Sequence, residues 1–453
     1  MTDEWSSSLD VHLDWTPGLG RQGLAKAVRQ AIRDGRWKAG AVVPSTRALA
    51  HDLGVARGTV TRVYSDLAAE GYLQTSQGAP TRVATAGAQP LTQPRPTTPR
   101  EPAMRWNLMA GRPDAALFPR DLWLASTKRV LQHTHNETFG WGEPRGSSVL
   151  RATLSAYLAR SRGVLADPAR IVVCSGFSHA MTILGTALRS IGIKEMAFED
   201  PSFWRFRDLA GATGQKIVGV PVDGNGMRVS ELTSPAVVVT PAHQSPIGVT
   251  LAPDRRAKLT ETGAVIVEDD YDGEFRYDRH QVGALQALAP ERVIYAGTAS
   301  KTLAPSLRIG WMVLPRSLVD PVIAALETSG AQPSLLDQLI LADMISTGAY
   351  DRHVRKSRIE YRSRRDRVVA ALPKHLIPQG ISAGLHLTLP LSEAAEADVR
   401  TVSRRHSLAI ETVSQMSMGD KQYGLLVGYG APSRNAFGGA LEALLNTLRE
   451  LRE

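Results

Sequence analysis

The stretch Gly297-Thr298-Ala299-Ser300-Lys301, with Arg308 and Gly310 shortly after it, holds residue types suited to covalent amine chemistry. A lysine attacks an aldehyde only when deprotonated, and desolvation at the end of a strand lowers its pKa toward that state. Most lysines are solvated charges, so the company of Lys301 matters more than the lysine itself. Arg308 can clamp a phosphate, and Thr298 and Ser300 supply hydroxyl donors. Upstream, Glu268-Asp269-Asp270-Tyr271 follows an apolar run ending at Val267, where three carboxylates are costly without a cationic partner. A protonated pyridine nitrogen is such a partner, and a carboxylate facing it makes the ring an electron sink. Cys174-Ser175-Gly176-Phe177-Ser178 ends a strand and opens a helix, so its free backbone N–H groups can hold a phosphate. The chemistry that unites these groups is imine formation on a phosphorylated aromatic aldehyde.

The elements that must position them alternate short apolar runs with amphipathic stretches. The predicted strands are 170–174, 195–198, 216–220, 236–240, 264–267 and 292–295. Near-continuous Val/Ile runs such as Val237-Val238-Val239 imply strands covered on both faces, as in α/β proteins. In open α/β sheets ligands bind at the carboxyl ends of the strands, which is where the Lys301, Asp269 and Gly176 stretches fall.

A different pattern occupies the amino-terminal part. The spacing predicts a helix over 23–33, followed by Trp37, and a second helix opened by Pro44-Ser45 with Ser45 as N-cap and Leu49 and Leu53 facing inward. Gly54 makes a tight turn. A third helix carries Val60, Val63, Tyr64 and Leu67 as its core stripe and exposes Arg57, Gly58, Thr59, Thr61 and Arg62 at its start. Residues 72–83 predict a two-stranded wing around Gly78. Helix, short turn and helix is a helix-turn-helix, whose second helix puts its early residues into the major groove. Arg57 can read guanine, and Arg47, Thr59 and Arg62 can hold phosphates or base edges.

The charge balance agrees. The chain of 453 residues carries 53 Lys/Arg and 44 Asp/Glu, a net charge of +9. Ten Lys/Arg against four Asp/Glu lie between Arg21 and Val83, so most of the excess sits in this small module, as expected for a nucleic-acid binder. The Pro/Thr/Ala-rich stretch 84–103 reads as a linker, dividing a segment 1–20 and a domain 21–83 from a body 104–453, with a large part 104–310 and a C-terminal small part 311–453. The acidic, polar start is neither a signal nor a transit peptide, and no apolar run is long enough for a bilayer. The single cysteine, Cys174, fits a reducing cytoplasm, and the histidines lack metal-ligand spacing.

The segment GAVVPSTRALAHDLGVARGTVTRVYSDLAAEGYLQ resembles the GntR-type winged helix, and the Lys301 and Asp269 stretches resemble fold-type I pyridoxal-phosphate aminotransferases. With FGWGEPRG, YLARSRGV, TPAHQSPIG, VEDDYDGEFRYD, GTASKTLAPSLRIG and YDRHVRKSRIEYRSRRDR, nearly the whole chain is similar to the MocR (GabR-like) subfamily of GntR regulators. That resemblance implies pyridoxal 5'-phosphate as cofactor, with Lys301 as Schiff-base lysine, Asp269 on the pyridine nitrogen and Tyr271 on the phenolic oxygen. It implies Gly176, Phe177, Ser178, Ser300 and Arg308 around the phosphate, Thr298 among the cofactor-binding residues, and Ser245 beside the ring where aminotransferases have Asn. Phe203 takes the place of the ring-stacking aromatic, or is simply a core residue. Arg205 matches an arginine that holds an effector carboxylate. Ser45 joins Arg47, Arg57, Gly58, Thr59, Thr61 and Arg62 in the DNA-binding set. Two departures stand out in the reader: Ala56 replaces a capping Ser, and Gly58 replaces a polar residue. A third lies near the carboxyl terminus, where residues 422–428 lack the arginine that binds a substrate carboxylate.

The resemblance therefore implies a transcription regulator of double-stranded DNA, a head-to-tail homodimer away from any membrane. Its effector would be pyridoxal phosphate itself, or an amine or amino acid forming an external aldimine. Two alternatives stay open: a working aminotransferase with an accessory domain, and a paralogue that has lost its cofactor.

Overall fold

The computed structural model describes residues 13–76, 78–85, 104–277 and 282–451. The chain divides into two compact units, Met1–Ala103 and Met104–Glu453. Most of the expected linker, residues 86–103, lies outside the described residues, as does 1–12 of the expected N-terminal segment.

In the first unit, helices α1 (Gly20–Arg33), α2 (Thr46–Leu53) and α3 (Arg57–Ala69) precede a hairpin of β1 (Leu73–Gln74) and β2 (Arg82–Val83). The antiparallel pair runs Leu73 against Val83, and Gly78 lies between its strands with φ of +80°, the left-handed region that favours glycine. Leu24, Val28, Ile32, Trp37, Leu49, Val60, Val63 and Leu67 form one buried cluster. The start of α1 differs from the sequence expectation because Leu13, read as part of a polar leader, is buried in this cluster and Pro17–Leu19 already forms a turn of 3-10 helix. Ala84, read as the first linker residue, is also buried and donates its N–H to the Tyr72 carbonyl at 2.9 Å.

The second unit opens with β3 (Trp106–Asn107) and is built on eight strands: β4 (Ile171–Cys174), β5 (Glu195–Asp200), β6 (Lys216–Asp223), β7 (Gly226–Met227), β8 (Ala236–Val239), β9 (Val265–Asp269), β10 (Val293–Thr298) and β11 (Gly310–Val313). Their order is β4-β11-β10-β9-β8-β5-β6-β7. Pairs from β10 through β6 are parallel, while β11 runs antiparallel to both β10 and β4. Alternation sends Val172 and Cys174 to one apolar cluster and Ile171 and Val173 to another, so the sheet is covered on both faces. Among the sheet strands, the sequence reading missed β11 and the two-residue β7.

The small part does not begin at residue 311. Leu314, Val322 and Leu326 pack in the first sheet cluster, and Leu341, Ile345 and Val354 in the second. The smaller core instead joins Leu108, Tyr361, Leu385, Leu425, Val427 and Leu444 around β12 (Leu387–Pro390), β13 (Leu408–Ala409), β14 (Glu411–Thr412) and β15 (Gly424–Val427). β3 pairs with β13, so the first residues of the unit belong to this part. Burial of the flanking apolar helices against the sheet sets the division.

Candidate functional site

The carboxyl ends of β4, β5, β8, β9 and β10 converge on a cavity of about 260 Å³. Its lining includes Gly176, Phe177, Ser178, Phe203, Ser245, Asp269, Tyr271, Thr298, Ser300, Lys301 and Arg308, which brings together every residue expected around the cofactor. Arg205 is different. It is exposed and absent from the lining, although Phe203 and Phe206 on either side of it line the cavity.

The three carboxyl groups after the apolar run of β9 separate by environment. Glu268 accepts N–H bonds from Leu285 (2.7 Å) and Gln286 (2.9 Å). Asp270 takes a two-point contact from Arg162, 2.6 Å to Nε and 2.9 Å to Nη2, plus the Tyr295 hydroxyl at 2.7 Å. Asp269 keeps one oxygen, Oδ1, buried without a partner. Burial pushes its pKa well above the usual carboxylate range, while the charge of Lys301 pulls it down. An orphaned carboxylate facing a cavity calls for a ligand that brings a donor or a cation. A pyridine ring protonated on nitrogen fits it.

Lys301 follows β10. Its Nζ donates to the Gly111 carbonyl at 2.6 Å, and burial lowers its pKa against the opposing pull of Asp269 and Asp272. The amine is thereby brought toward the neutral, nucleophilic form. Thr298 Oγ1 accepts the Ser300 N–H at 3.1 Å and donates to Ser300 Oγ at 2.9 Å, which fixes the turn carrying the lysine.

At the other end, Gly176 (φ +80°) caps the helix Phe177–Ser190. A Cβ on Gly176 would sit 3.9 Å from Arg308 Nη1 and 4.0 Å from Ser300 Oγ, so the missing side chain leaves a space faced by a cation, a hydroxyl and a helix start. That is a phosphate-sized cradle. Close packing of β11 supports it: a Cβ on Gly310 would lie 2.8 Å from the Gly176 Cα.

Sequence reasoning missed a histidine pair beside this cavity, of which His386 lines the wall. His243 Nδ1 is 2.8 Å from Asp272 Oδ2 and 2.9 Å from the Tyr271 hydroxyl. The ring of His386 stands 5.3 Å from that of His243 and lines the cavity. No local spacing could have found it, because positions 243, 271–272 and 386 lie far apart in the chain. Glu199, also in the wall, accepts from Thr240 N (3.0 Å) and Oγ1 (2.6 Å), and burial raises its pKa to about 7. Phe203 is half-buried and packs edge-on against Phe206 at 5.1 Å, so it serves both the wall and the local packing.

In the first unit the exposed start of α3 displays Arg57, Gly58, Thr61 and Arg62, with Thr59 half-buried. Ser45 caps α2 by accepting the Ala48 N–H at 3.1 Å, and Arg47 is exposed on the next turn. Arg57 Nε lies 3.4 Å from Thr46 Oγ1. Arg21, Arg29 and Arg36 are held in ion pairs, whereas among the described residues Arg47, Arg57 and Arg62 have no carboxylate partner. Arg57 and Arg62 thus bring unpaired positive charge to the start of α3, and Arg47 brings it to the start of α2. Among the described residues there is no group of side chains suited to a metal, and no helix long and apolar enough to cross a membrane.

Comparison with known proteins adds the following. Residues 21–83 match the family model for bacterial regulatory proteins of the gntR family, and residues 107–414 that for aminotransferase class I and II. The chain is 35% identical to the probable rhizopine catabolism regulatory protein MocR of Rhizobium meliloti, over 83% of this chain and 82% of that protein. It is 30% identical to the HTH-type pyridoxine biosynthesis transcriptional regulator PdxR of Corynebacterium glutamicum, over 90% and 91% of the two. The fold is similar to an archaeal alanine:glyoxylate aminotransferase, with a TM-score of 0.69 and 25% identity, covering 76% of this chain and 91% of that one.

Proposed function

The chain belongs to the MocR-type GntR transcription regulators, with a winged helix-turn-helix and a fold-type I aminotransferase domain, and from that premise we propose that pyridoxal 5'-phosphate at Lys301 governs its binding to DNA. The observation that carries this reading is the cavity in which a buried, unpartnered Asp269 oxygen accompanies a desolvated lysine and a glycine-made anion cradle. When bound, the cofactor supplies an aldehyde that takes up primary amines and a ring that withdraws electrons from them.

The chain's own groups divide the work. The helix start at Gly176–Ser178, with Ser300 and Arg308, would hold the phosphate. Asp269 would keep a proton on the ring nitrogen. Tyr271 would donate toward the phenolic oxygen, and Phe203 and Ser245, also in the lining, would contact the ring. Lys301 gives the amine. Its Nζ now grips the Gly111 carbonyl, and the segment around Gly111 presses on the carboxyl-terminal strand: a Cβ on Gly428 would lie 2.1 Å from the Met109 carbonyl. Engaging or releasing Nζ therefore alters a contact of that segment, the kind of differential interaction that shifts a population between two states.

The effector is pyridoxal phosphate itself or an amine compound, and the protein acts in the cytoplasm as a head-to-tail homodimer whose two winged helices read two half-sites. A second reading, residual transamination, is favoured by the aminotransferase likeness. The experiment is operator binding by gel shift on DNA upstream of the chain's own gene, with and without pyridoxal phosphate. The expected result is a cofactor-dependent affinity in the wild type that Lys301→Ala no longer shows. Equal affinity under all these conditions contradicts the reading. Steady keto-acid production from an amino-acid panel would instead establish an enzyme.

A further inference from the structure

Tyr271 lines the cavity, while His243 and Asp272 are buried beside it and outside the lining. His243 Nδ1 meets two oxygens at once, Asp272 Oδ2 at 2.8 Å and the Tyr271 hydroxyl at 2.9 Å. The same hydroxyl has hydrogen bonds with Asp272 and Ser245. A Cβ on Gly384 would come within 2.4 Å of both Asp272 Oδ2 and His243 Cε1, so close packing holds the pair in place.

A bare Nδ1 lone pair at 2.8 Å from a carboxylate oxygen is repelled, which assigns the ring hydrogen of His243 to Nδ1. As a carboxylate, Asp272 only accepts. The Tyr271 hydroxyl has one proton, and two acceptors compete for it: Asp272, and an oxygen that a ligand brings into the cavity. An Nδ1–H given to Asp272 satisfies that carboxylate and weakens its claim on the tyrosine. Burial, then the charges of Asp272 and Asp269, push the Tyr271 hydroxyl well above its usual pKa, so it stays a donor.

Among the described residues, the other titratable or charged groups beside these three are Asp269, Lys301, His386, Tyr277, Tyr429 and Arg276. Arg112 acts on Lys301. His386, hydrogen-bonded to the Pro246 backbone, is lowered to about 4 by burial and by His243, so it is neutral near pH 7. The substitutions used below leave all of these groups in place.

We propose that His243 is a positioning residue for the cofactor site: by donating Nδ1–H to Asp272 it frees the Tyr271 proton for the ring oxygen of bound pyridoxal phosphate. This rests on reading the cavity as a pyridoxal-phosphate site, and adds to that site a part outside its lining. A hydrogen bond given to the ring oxygen stabilises negative charge there, so the loaded site gives up its proton at a lower pH.

The test follows the visible absorption of the pyridoxal-phosphate-loaded full chain against pH, and cofactor affinity by titration of the stripped chain. Tyr271→Phe is expected to raise the absorption midpoint by about one pH unit and to weaken affinity about fivefold, the loss of one hydrogen bond. In His243→Gln the amide reaches the Nε2 position and leaves Asp272 unserved, so both quantities move the same way. In His243→Asn the amide keeps a donor at the Nδ1 position, and the two stay within about 0.3 pH unit and about twofold of the wild type. His243→Gln added to Tyr271→Phe changes nothing more, because the residue through which it acts is gone. If the histidine serves packing alone, Asn and Gln do equal harm, and Gln does it in either background. That result overturns the proposal, as does a His243→Gln that matches the wild type in both readouts. Where the wild-type band is fixed across pH, the affinity order alone decides. A wild type that never acquires the band overturns the cofactor reading and this inference with it; an intact band with Asn and Gln alike overturns this inference alone.

Discussion

Asp269, Glu199 and Lys301 share one cavity wall but hold their protons for different reasons. Asp269 has no internal partner for Oδ1, so in the absence of ligand its carboxylate is destabilising. Asp269→Asn is expected to leave the ligand-free protein as stable as the wild type or more so, and to weaken pyridoxal-phosphate binding by about 3 kcal/mol, roughly a hundredfold. Calorimetric unfolding and cofactor titration read the two effects, and unchanged cofactor affinity contradicts the assignment. Glu199 gives a pH signature. Burial raises its folded pKa to about 7, from an ordinary value of 4.5. Below pH 4.5 both folded and unfolded chains carry the proton. As pH rises toward 7 the unfolded chain releases it first, so stability from this group declines across that window. Glu199→Gln keeps the acceptor for Thr240 without the charge. Its melting temperature relative to wild type should therefore increase between about pH 5 and pH 8; a difference that stays flat or falls excludes a neutral Glu199.

At the scale of elements, helix α3 does two jobs with one sequence. Val60, Val63, Tyr64 and Leu67 anchor it, and the Tyr64 hydroxyl donates to the Pro44 carbonyl at 2.9 Å. Its N-cap Ala56 has no side chain to accept an N–H, whereas Ser45 performs that service for α2. Ala56→Ser should stabilise the winged-helix unit by about 1 kcal/mol, seen as a raised melting transition; no gain would mean the cap geometry is wrong for a hydroxyl. Arg57→Ala should weaken specific DNA binding by about 1–3 kcal/mol, measured by anisotropy across a salt series. An affinity unmoved at every salt concentration excludes Arg57 from the contact. The helix-turn-helix was legible because its signals are local: a cap, a glycine turn and a 3.6-residue stripe within about thirty positions. Strands β4, β5, β6, β8, β9 and β10 were legible from their apolar runs. Strand β11 was not, because Gly310-Trp311-Met312-Val313 directly follows a motif read for chemistry, and its antiparallel place between β4 and β10 depends on partners distant in sequence.

At the scale of the whole molecule, the sheet explains both what the sequence revealed and what it hid. Lys301, Asp269 and Gly176 each lie at or just beyond the end of a strand, and the sheet brings such ends together, so their meeting in one cavity could be expected from three separate stretches. The His243–Asp272–Tyr271 contacts and His386 come from a loop after β8, a turn after β9 and the edge of β12 in the smaller part. The neighbouring strands β8 and β9 bring the first three together, and packing of the smaller part against the sheet adds His386. The same packing shows why the boundary expected at residue 311 fails: the helices after β11 are apolar on the side that covers the sheet, while β3, far earlier in the chain, completes the smaller part through β13. Arg205 illustrates a resemblance that fixes backbone position without fixing side-chain direction, since its neighbours reach the cavity and it does not.

All of this turns on a covalent attachment at one lysine. The full chain, incubated with pyridoxal phosphate and reduced with borohydride, should yield on digestion one phosphopyridoxylated peptide, the one containing Lys301, and Lys301→Ala should yield none there. An unmodified Lys301 peptide, or label spread over surface lysines alike in both proteins, would contradict the account.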